Sequence, residues 1–213
     1  MRSDAPFSAE EQLQALGTIA DELRETDLDV LALGSAAVVL RTGQRSIVTK
    51  ALDVHPFPSD DVLDLWDGIE EAIQRLGGSV EWEPDGATIT AHVPMAGRDL
   101  PIEFVLGREN FIEPEVLEDA VETAEKREGA LVPSWEHIVV MKAEAWFDRT
   151  GHEQEKYLRD LTEIREWMEE TGTSLQRGEV ERLVELRPQR KHREMMLTIG
   201  RILENRMESS HHG

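Results

Sequence analysis

The sequence predicts an α+β fold, in which a mixed α/β half is followed by an all-helical half. Three observations carry that prediction. Between residues 29 and 106, apolar runs of strand length are interspersed with amphipathic helical periods. Glycine and proline punctuate those runs at Gly34, at Gly77-Gly78 and at Glu83-Pro84-Asp85-Gly86. From Ser134 onward the composition is helical to the end. The join near Pro133 predicts an α/β domain over residues 1–130 and a helical region over 131–213 packed on it.

The elements follow in order. Ser8-Ala9-Glu10-Glu11 is a capping box, with Glu11 placed to reach back to the Ser8 amide. Leu13, Leu16, Ile19, Ala20 and Leu23 then recur at helical spacing, which predicts a helix over 9–25. Asp29 to Leu33 is a short apolar run closed by Gly34, the pattern of a buried strand, and Ser35 to Leu40 reads as a short helix with Ser35 as N-cap. Ile47 to Val54 is the next strand. Ser59 caps a helix over 60–76, with Val62, Leu63, Leu65, Trp66, Ile69 and Ile73 inward and Gly77-Gly78 at its end. Residues 79–83 and 87–93 read as a β-hairpin. Leu100 to Leu106 is a strand with Ile102 and Phe104 on one face and Glu103 on the other. Pro114 opens a helix to about Glu128, and Ala130 to Pro133 is a brief extended piece. Helices over 134–149, 153–170, 178–186 and 189–207 complete the chain, separated at Thr150-Gly151, Gly172, Gly178 and Pro188.

Composition narrows the function classes. Among 213 residues, 44 are acidic and 23 basic, a formal net charge of −21. Only five of the basic residues are lysines (50, 126, 142, 156 and 191), and the acids are dispersed rather than gathered in a tail. That pattern reads as a solvated high-salt surface, so a halophilic source is expected. It also argues against an extensive DNA groove, because phosphate would be repelled. Without cysteine there can be no disulfide, thiolate metal site or cysteine nucleophile. No 18-residue apolar segment occurs and no apolar run follows Met1, so no membrane association is expected and the location is read as cytoplasmic.

Two groups of residues could carry chemistry. Gly34-Ser35 stands where a strand passes into a helix, which leaves backbone amides beside the strand's C-terminal end. Asp53 lies on the next strand and Glu103 on a later one; if those strands are neighbours, two carboxylates meet beneath the Gly-Ser amides. Carboxylates of this kind hold Mg²⁺ and amides cradle phosphates, which suits nucleoside triphosphate chemistry. The second group centres on Lys142, which lies among Ile138, Val139, Met141, Ala145 and Trp146. Its stem can run along the core edge and pair with Asp160 or Glu144. Of the histidines, His55 shares a strand face with Asp53 as a conceivable Asp-x-His metal pair, whereas His92, His137, His152 and His192 have no partner at ligand spacing. Trp66, Trp135, Trp146, Trp167 and Met168 fall at helical core positions.

The order of these pieces resembles the nucleotidyltransferase superfamily, in particular its minimal and AbiEii-type toxin branch. Leu33-Gly34-Ser35-Ala36-Ala37 resembles the first motif of that family, and Thr49-Lys50-Ala51-Leu52-Asp53-Val54 the acidic second strand. Ile102-Glu103-Phe104 resembles the strand of the third carboxylate. Pro133 with Ile138, Lys142, Ala145, Arg149, Lys156 and Asp160 resembles the helical segment beyond it. Two positions depart from the pattern: Ala51 stands where the first acidic residue of the pair belongs, and Tyr157 where the helical motif has its first Asp. An alternative register would make Asp53 and His55 the pair.

The resemblance implies a nucleotidyltransferase-like short mixed β-sheet flanked by helices, followed by a helical C-terminal half. It implies Mg²⁺ and a nucleoside triphosphate, with Asp53 and Glu103 as metal ligands and Gly34, Ser35, Arg45 and Thr49 on the nucleotide. Lys142 would contact the triphosphate or organise the site with Asp160, so that Asp53, Glu103, Lys142 and Asp160 form the catalytic set. It implies a toxin–antitoxin or phage-defence setting, with an antitoxin or operon-partner protein and a tRNA or protein acceptor. Ala51 implies weakened or lost transfer, or an inactive subunit that acts only through partner binding.

Overall fold

A computed structural model describes residues 7–43, 51–58, 62–82, 88–95, 97–106, 112–187, 192–203 and 207–208. The chain divides into two compact units, Met1–Arg108 with Ala124–Pro133, and Glu109–Thr123 with Ser134–Gly213.

The first unit is built on a seven-stranded mixed sheet. Its strands are β1 (Asp29–Ala32), β2 (Leu52–Phe57), β3 (Ser79–Trp82), β4 (Thr88–Met95), β5 (Arg98–Val105), β6 (Glu125–Arg127) and β7 (Ala130–Val132). They lie side by side in the order β3-β4-β5-β2-β1-β7-β6. β2 pairs parallel with β5, and β1 parallel with β7; the other pairings are antiparallel. Period-two alternation sets the faces. Leu52, Val54, Ile89, Ala91, Val93, Leu100, Ile102 and Phe104 are buried, whereas their neighbours Asp53, His55, Thr90 and Glu103 are half-buried or exposed. Three helices supply the remaining core: α1 (Ala9–Arg24) through Leu16, Ile19 and Leu23, α2 (Gly34–Thr42) through Ala36, Val38 and Val39, and α3 (Val62–Arg75) through Leu65, Ile69 and Ile73. The capping box forms as expected, with Ser8 Oγ accepting from the Glu11 amide and the Ser8 amide donating to Glu11 at 2.7 Å.

Several expectations shift. The strand expected over 47–54 runs from Leu52 to Phe57, past Pro56, while residues 47–50 lie outside the described ones. Pro56 has no N–H to donate to the sheet. The Val105 carbonyl accepts instead from His55 Nδ1 at 2.8 Å, so a side chain carries the β2–β5 contact past the proline. The short helix α2 spans Gly34–Thr42 and its N-cap is Leu33, which makes Ser35 a first-turn residue rather than the cap. Leu63 is 71% exposed rather than inward. The helix opened by Pro114 is α4 (Pro114–Thr123) and stops well short of Glu128. Glu125–Arg127 instead forms a hairpin with β7 across Glu128-Gly129. Both turn residues have positive φ, 46° and 85°, as a two-residue hairpin loop requires. The Ser59 cap and the turn within 83–87 lie outside the described residues.

The second unit is helical: α4, α5 (Trp135–Asp148), α6 (His152–Thr171), α7 (Arg177–Glu185) and α8 (His192–Ile202), with a two-residue strand pair, β8 (Leu175–Gln176) and β9 (Met207–Glu208). Ser134 caps α5, accepting from the His137 amide. Every residue from His137 to Ala145 is buried, and α5 packs against α4, α6, α7 and α8. A helix buried on all sides must neutralise any charge it carries. Lys142 and Glu144 are both such charges, and each has an ion-pair partner in this unit. Trp135 is buried, whereas Trp66, Trp146 and Trp167, also read as core, are half-buried. No helix among the described residues is long and apolar enough to cross a membrane.

Candidate functional site

In the first unit the chain brings Gly34, Ser35, Asp53 and Glu103 together from three elements. β1 ends at Ala32, and the Leu33 amide donates to the Asp53 carbonyl at 2.9 Å, which ties the start of α2 to β2. Gly34 then takes φ +50°, a left-handed conformation natural to glycine. A Cβ at Gly34 would lie 2.1 Å from Asp53 Oδ2. The Asp53 carboxylate therefore rests directly against the first residue of α2. Such a position sets a negative group at the positive end of the helix and requires glycine on steric grounds as well as by φ.

Asp53 is directly opposite Glu103 in the parallel β2–β5 register. Adjacent strands are about 4.8 Å apart and paired residues share a face, so both carboxylates leave the sheet on the same side. Thr90 of β4 is opposite Glu103, and Glu81 of β3 is opposite Thr90. One row across the sheet thus reads Asp53, Glu103, Thr90, Glu81. Asp53 is half-buried and Glu103 exposed, the accessibility that ligands need. Ser35 is 5% exposed, and its Oγ has no hydrogen-bond partner among the described residues. It is a buried hydroxyl at a helix N-terminus, a position suited to an anion.

The metal expectation meets this donor set in part. Mg²⁺ takes one or two protein carboxylates and completes its octahedron with water and phosphate oxygens, a requirement that Asp53 and Glu103 satisfy. A two-ion site needs a further bridging carboxylate, and the position two residues before Asp53 is the buried Ala51. Among the described residues no group of three or more His, Asp or Glu is arranged to hold a metal ion. The Asp53–His55 alternative is constrained too. The carbonyl of Val105 can only accept, so His55 carries its proton on Nδ1, and the ring stacks on Phe57 with centroids 6.4 Å apart. Burial lowers the His55 pKa from its ordinary value, against the opposing effect of the Val105 hydrogen bond. Arg45 and Thr49, expected on the nucleotide, lie outside the described residues.

In the second unit Lys142 and Asp160 meet. Lys142 Nζ donates to Asp160 Oδ2 at 2.6 Å, and the two residues are 4% and 2% exposed. Of the two partners that the sequence offered Lys142, Asp160 is thus the one that takes it. Glu144 pairs instead with Arg187, whose guanidinium also reaches Met195 Sδ at 2.7 Å. Arg187 gave no signal in the sequence; a buried carboxylate two residues from a buried lysine was the hint that a second cation would be needed.

A further cluster, also missed in the sequence, surrounds His137. Ser134 Oγ lies 2.8 Å from His137 Nδ1, and His137 Nε2 lies 3.8 Å from Asp119 of α4. Asp119 and Glu179 share the guanidinium of Arg182. Burial is the largest influence on His137 and lowers its pKa from the ordinary value, outweighing the pull of Asp119. The Arg182 hydrogen bond holds the Glu179 carboxyl below the usual range.

Residues 12–200 match the family described as nucleotidyl transferase of unknown function (DUF2204). No curated protein matches the chain. Among solved structures, an antigenic nucleotidyltransferase-like protein from Paracoccidioides brasiliensis is similar at a TM-score of 0.58, with 12% identity over 96% of this chain and 97% of that one. ANT(2″)-Ia is similar in two structures. One, in complex with adenylyl-2″-tobramycin, has a TM-score of 0.46 and 16% identity over 88% of this chain and 96% of that one. The other, a solution structure, has a TM-score of 0.48 and 18% identity over 88% of this chain and 95% of that one. At 12% identity the similarity to the Paracoccidioides protein is one of fold.

Proposed function

The chain belongs to the DUF2204 nucleotidyl transferases, and from that premise we propose that it binds a Mg²⁺–nucleoside triphosphate in its first unit, with transfer activity weakened by Ala51. The observation that carries this reading is the approach of Asp53 to Gly34. A carboxylate that leaves no room for a Cβ, at the start of a helix and in register with Glu103, has a placement that core packing does not demand. Asp53 and Glu103 would hold the ion, which neutralises phosphate charge when bound. Ser35 Oγ and the first amides of α2 would take phosphate oxygens. Lys142, with its charge met by Asp160, serves to organise α5 against α6.

Ala51 decides the level of activity. The methyl group supplies no oxygen where a second ion would need one, and Mg²⁺ tolerates little change in its cage. Binding then survives better than transfer. The acceptor class is a tRNA or a protein, the setting a toxin–antitoxin or phage-defence system with an operon partner, and the location cytoplasmic. In a variant of this reading the chain is an inactive subunit that works through that partner alone; Ala51, in place of a second carboxylate, favours it.

Calorimetry with each of the four Mg²⁺–triphosphates, in high salt, tests the proposal. Binding of at least one is expected, with a tenfold or greater loss in Asp53→Ala. Ala51→Asp is expected to raise metal affinity and to increase transfer of radiolabel from the triphosphate to an acceptor. Absence of binding by all four would overturn the nucleotide reading. Binding without labelling, even in Ala51→Asp, would favour the inactive subunit.

A further inference from the structure

The outer edge of the first unit carries a feature that nucleotide chemistry does not use. β3 is the last strand of the sheet, so one side of its backbone has no partner strand among the described residues. Trp82 at its end is 41% exposed and lies against the half-buried Trp66 of α3, with ring centroids 5.3 Å apart. Leu63, one helical turn before Trp66, is 71% exposed. In a chain with 5% aromatic residues, a tryptophan pair at an open sheet edge is a concentrated apolar surface.

Its surroundings are acidic. Asp64 and Asp67 flank Leu63 and Trp66 on α3, and Glu81 precedes Trp82 on β3; all three are exposed and have no ion-pair partner among the described residues. Arg75, the sole basic residue between 62 and 82, is occupied by Glu71 and Glu22. Edge strands are commonly protected by lysine or proline, and β3 (Ser79-Val80-Glu81-Trp82) has neither.

We propose that β3 is a docking edge for an extended basic segment of a partner protein, added to the sheet as a strand. Residues of that segment on the α3 face would place apolar side chains on the Trp66–Trp82 corner, and the alternate ones would set lysine or arginine against Glu81 on the opposite face. Asp64 and Asp67 would add to the negative potential at the edge. Charge chooses this occupant over a second copy of the chain. Antiparallel pairing of two β3 edges would bring Glu81 and the α3 acids of both copies together, between molecules that each carry a formal −21. The docking edge stands whether or not the nucleotide reading does.

The test uses the full chain and a fluorescein-labelled ten-residue peptide that alternates lysine with valine, measured by anisotropy beside the same peptide with glutamate for lysine. The lysine peptide is expected to bind at least tenfold more tightly than the glutamate one and to weaken as salt rises. Trp82→Ala is expected to lower its affinity tenfold or more. Should that variant fold poorly, Asp67→Lys with Glu81→Lys alters only exposed side chains and is expected to give the same loss. Equal binding of the two peptides, or binding unchanged in the folded variants, would overturn the proposal. So would a concentration-dependent dimer in sedimentation that Asp67→Lys with Glu81→Lys strengthens, since this would assign the edge to a second copy.

Discussion

Both units of the molecule contain carboxylates on elements that face a core, yet they treat them in opposite ways. In the first unit Asp53 and Glu103 stand side by side on a sheet face, the one half-buried and the other exposed. In the second, Asp160 and Glu144 are each 2% exposed and each is met by a buried cation. Solvation explains the difference. A carboxylate that keeps part of its hydration can exchange water for a metal or a donor at small cost. A buried one is viable only when its counter-charge is built in. Charged residue type alone therefore does not mark a site; the exposure of the carboxylate to water does.

The contrast breaks most visibly at Asp160. Asp160→Ala leaves Lys142 Nζ buried without its carboxylate, and removal of one partner of a buried pair costs about 3–5 kcal/mol. Urea unfolding is expected to show a loss of that order. Lys142→Met combined with Asp160→Leu removes both charges and is expected to recover most of the stability. If the single and double variants are equally destabilised, the charges are not what Asp160 is there for. Asp53→Ala, by contrast, is expected to change the unfolding midpoint far less than Asp160→Ala does, while lowering nucleotide affinity tenfold or more.

Gly34 sharpens the same contrast on a smaller scale. Gly34→Ala meets two penalties: a positive φ, about 1–2 kcal/mol for a residue with a Cβ, and contact with Asp53 Oδ2 at 2.1 Å. The carboxylate must move, so loss of nucleotide affinity should accompany the loss of stability. Because the two side chains would touch, their effects should couple. In Gly34→Ala with Asp53→Ala the steric part vanishes and only the conformational cost remains. Strict additivity of the two single changes would show that Asp53 does not rest on Gly34 in solution.

The pieces of the site were legible because each left a local mark: Gly34 closing an apolar run, Asp53 on a strand, Glu103 alternating with Ile102 and Phe104. The register between Asp53 and Glu103 was not, because β2 and β5 are separated in sequence by α3 and the β3–β4 hairpin. The extension of β2 was hidden by Pro56, which argues against an interior strand until a side chain replaces the missing donor. β6 was missed because Glu125-Lys126-Arg127 is wholly exposed and has no strand pattern of its own. It exists because the Glu128-Gly129 turn folds it onto the edge of β7. Arg187 was invisible because its partner Glu144 lies 43 residues away.

The smallest expected effect concerns the buried His137. Ser134 Oγ accepts from the His137 amide and lies 2.8 Å from Nδ1, close enough for its hydroxyl to donate to that nitrogen when the ring proton is on Nε2. Protonation of Nδ1 would remove this acceptor inside a buried site. The groups that face the ring are Asp119, Glu179, Arg182 and Glu136, and burial outweighs the acidic ones, so the folded pKa lies below the unfolded one. Between those two values the unfolded chain carries the proton and the folded chain does not. The contribution to stability is thus complete above the unfolded pKa and is lost as pH falls through the folded one, at no more than about 1.4 kcal/mol per pH unit. His137→Asn offers Oδ1 as the acceptor for Ser134 without an ionisable ring. Relative to the parent chain, this variant is expected to lose less stability between pH 7 and pH 5.5, since the carboxylates contribute to both. Identical pH dependence in the two proteins, or an NMR titration of His137 above the ordinary histidine value, would show that Asp119 and Glu179 outweigh burial after all.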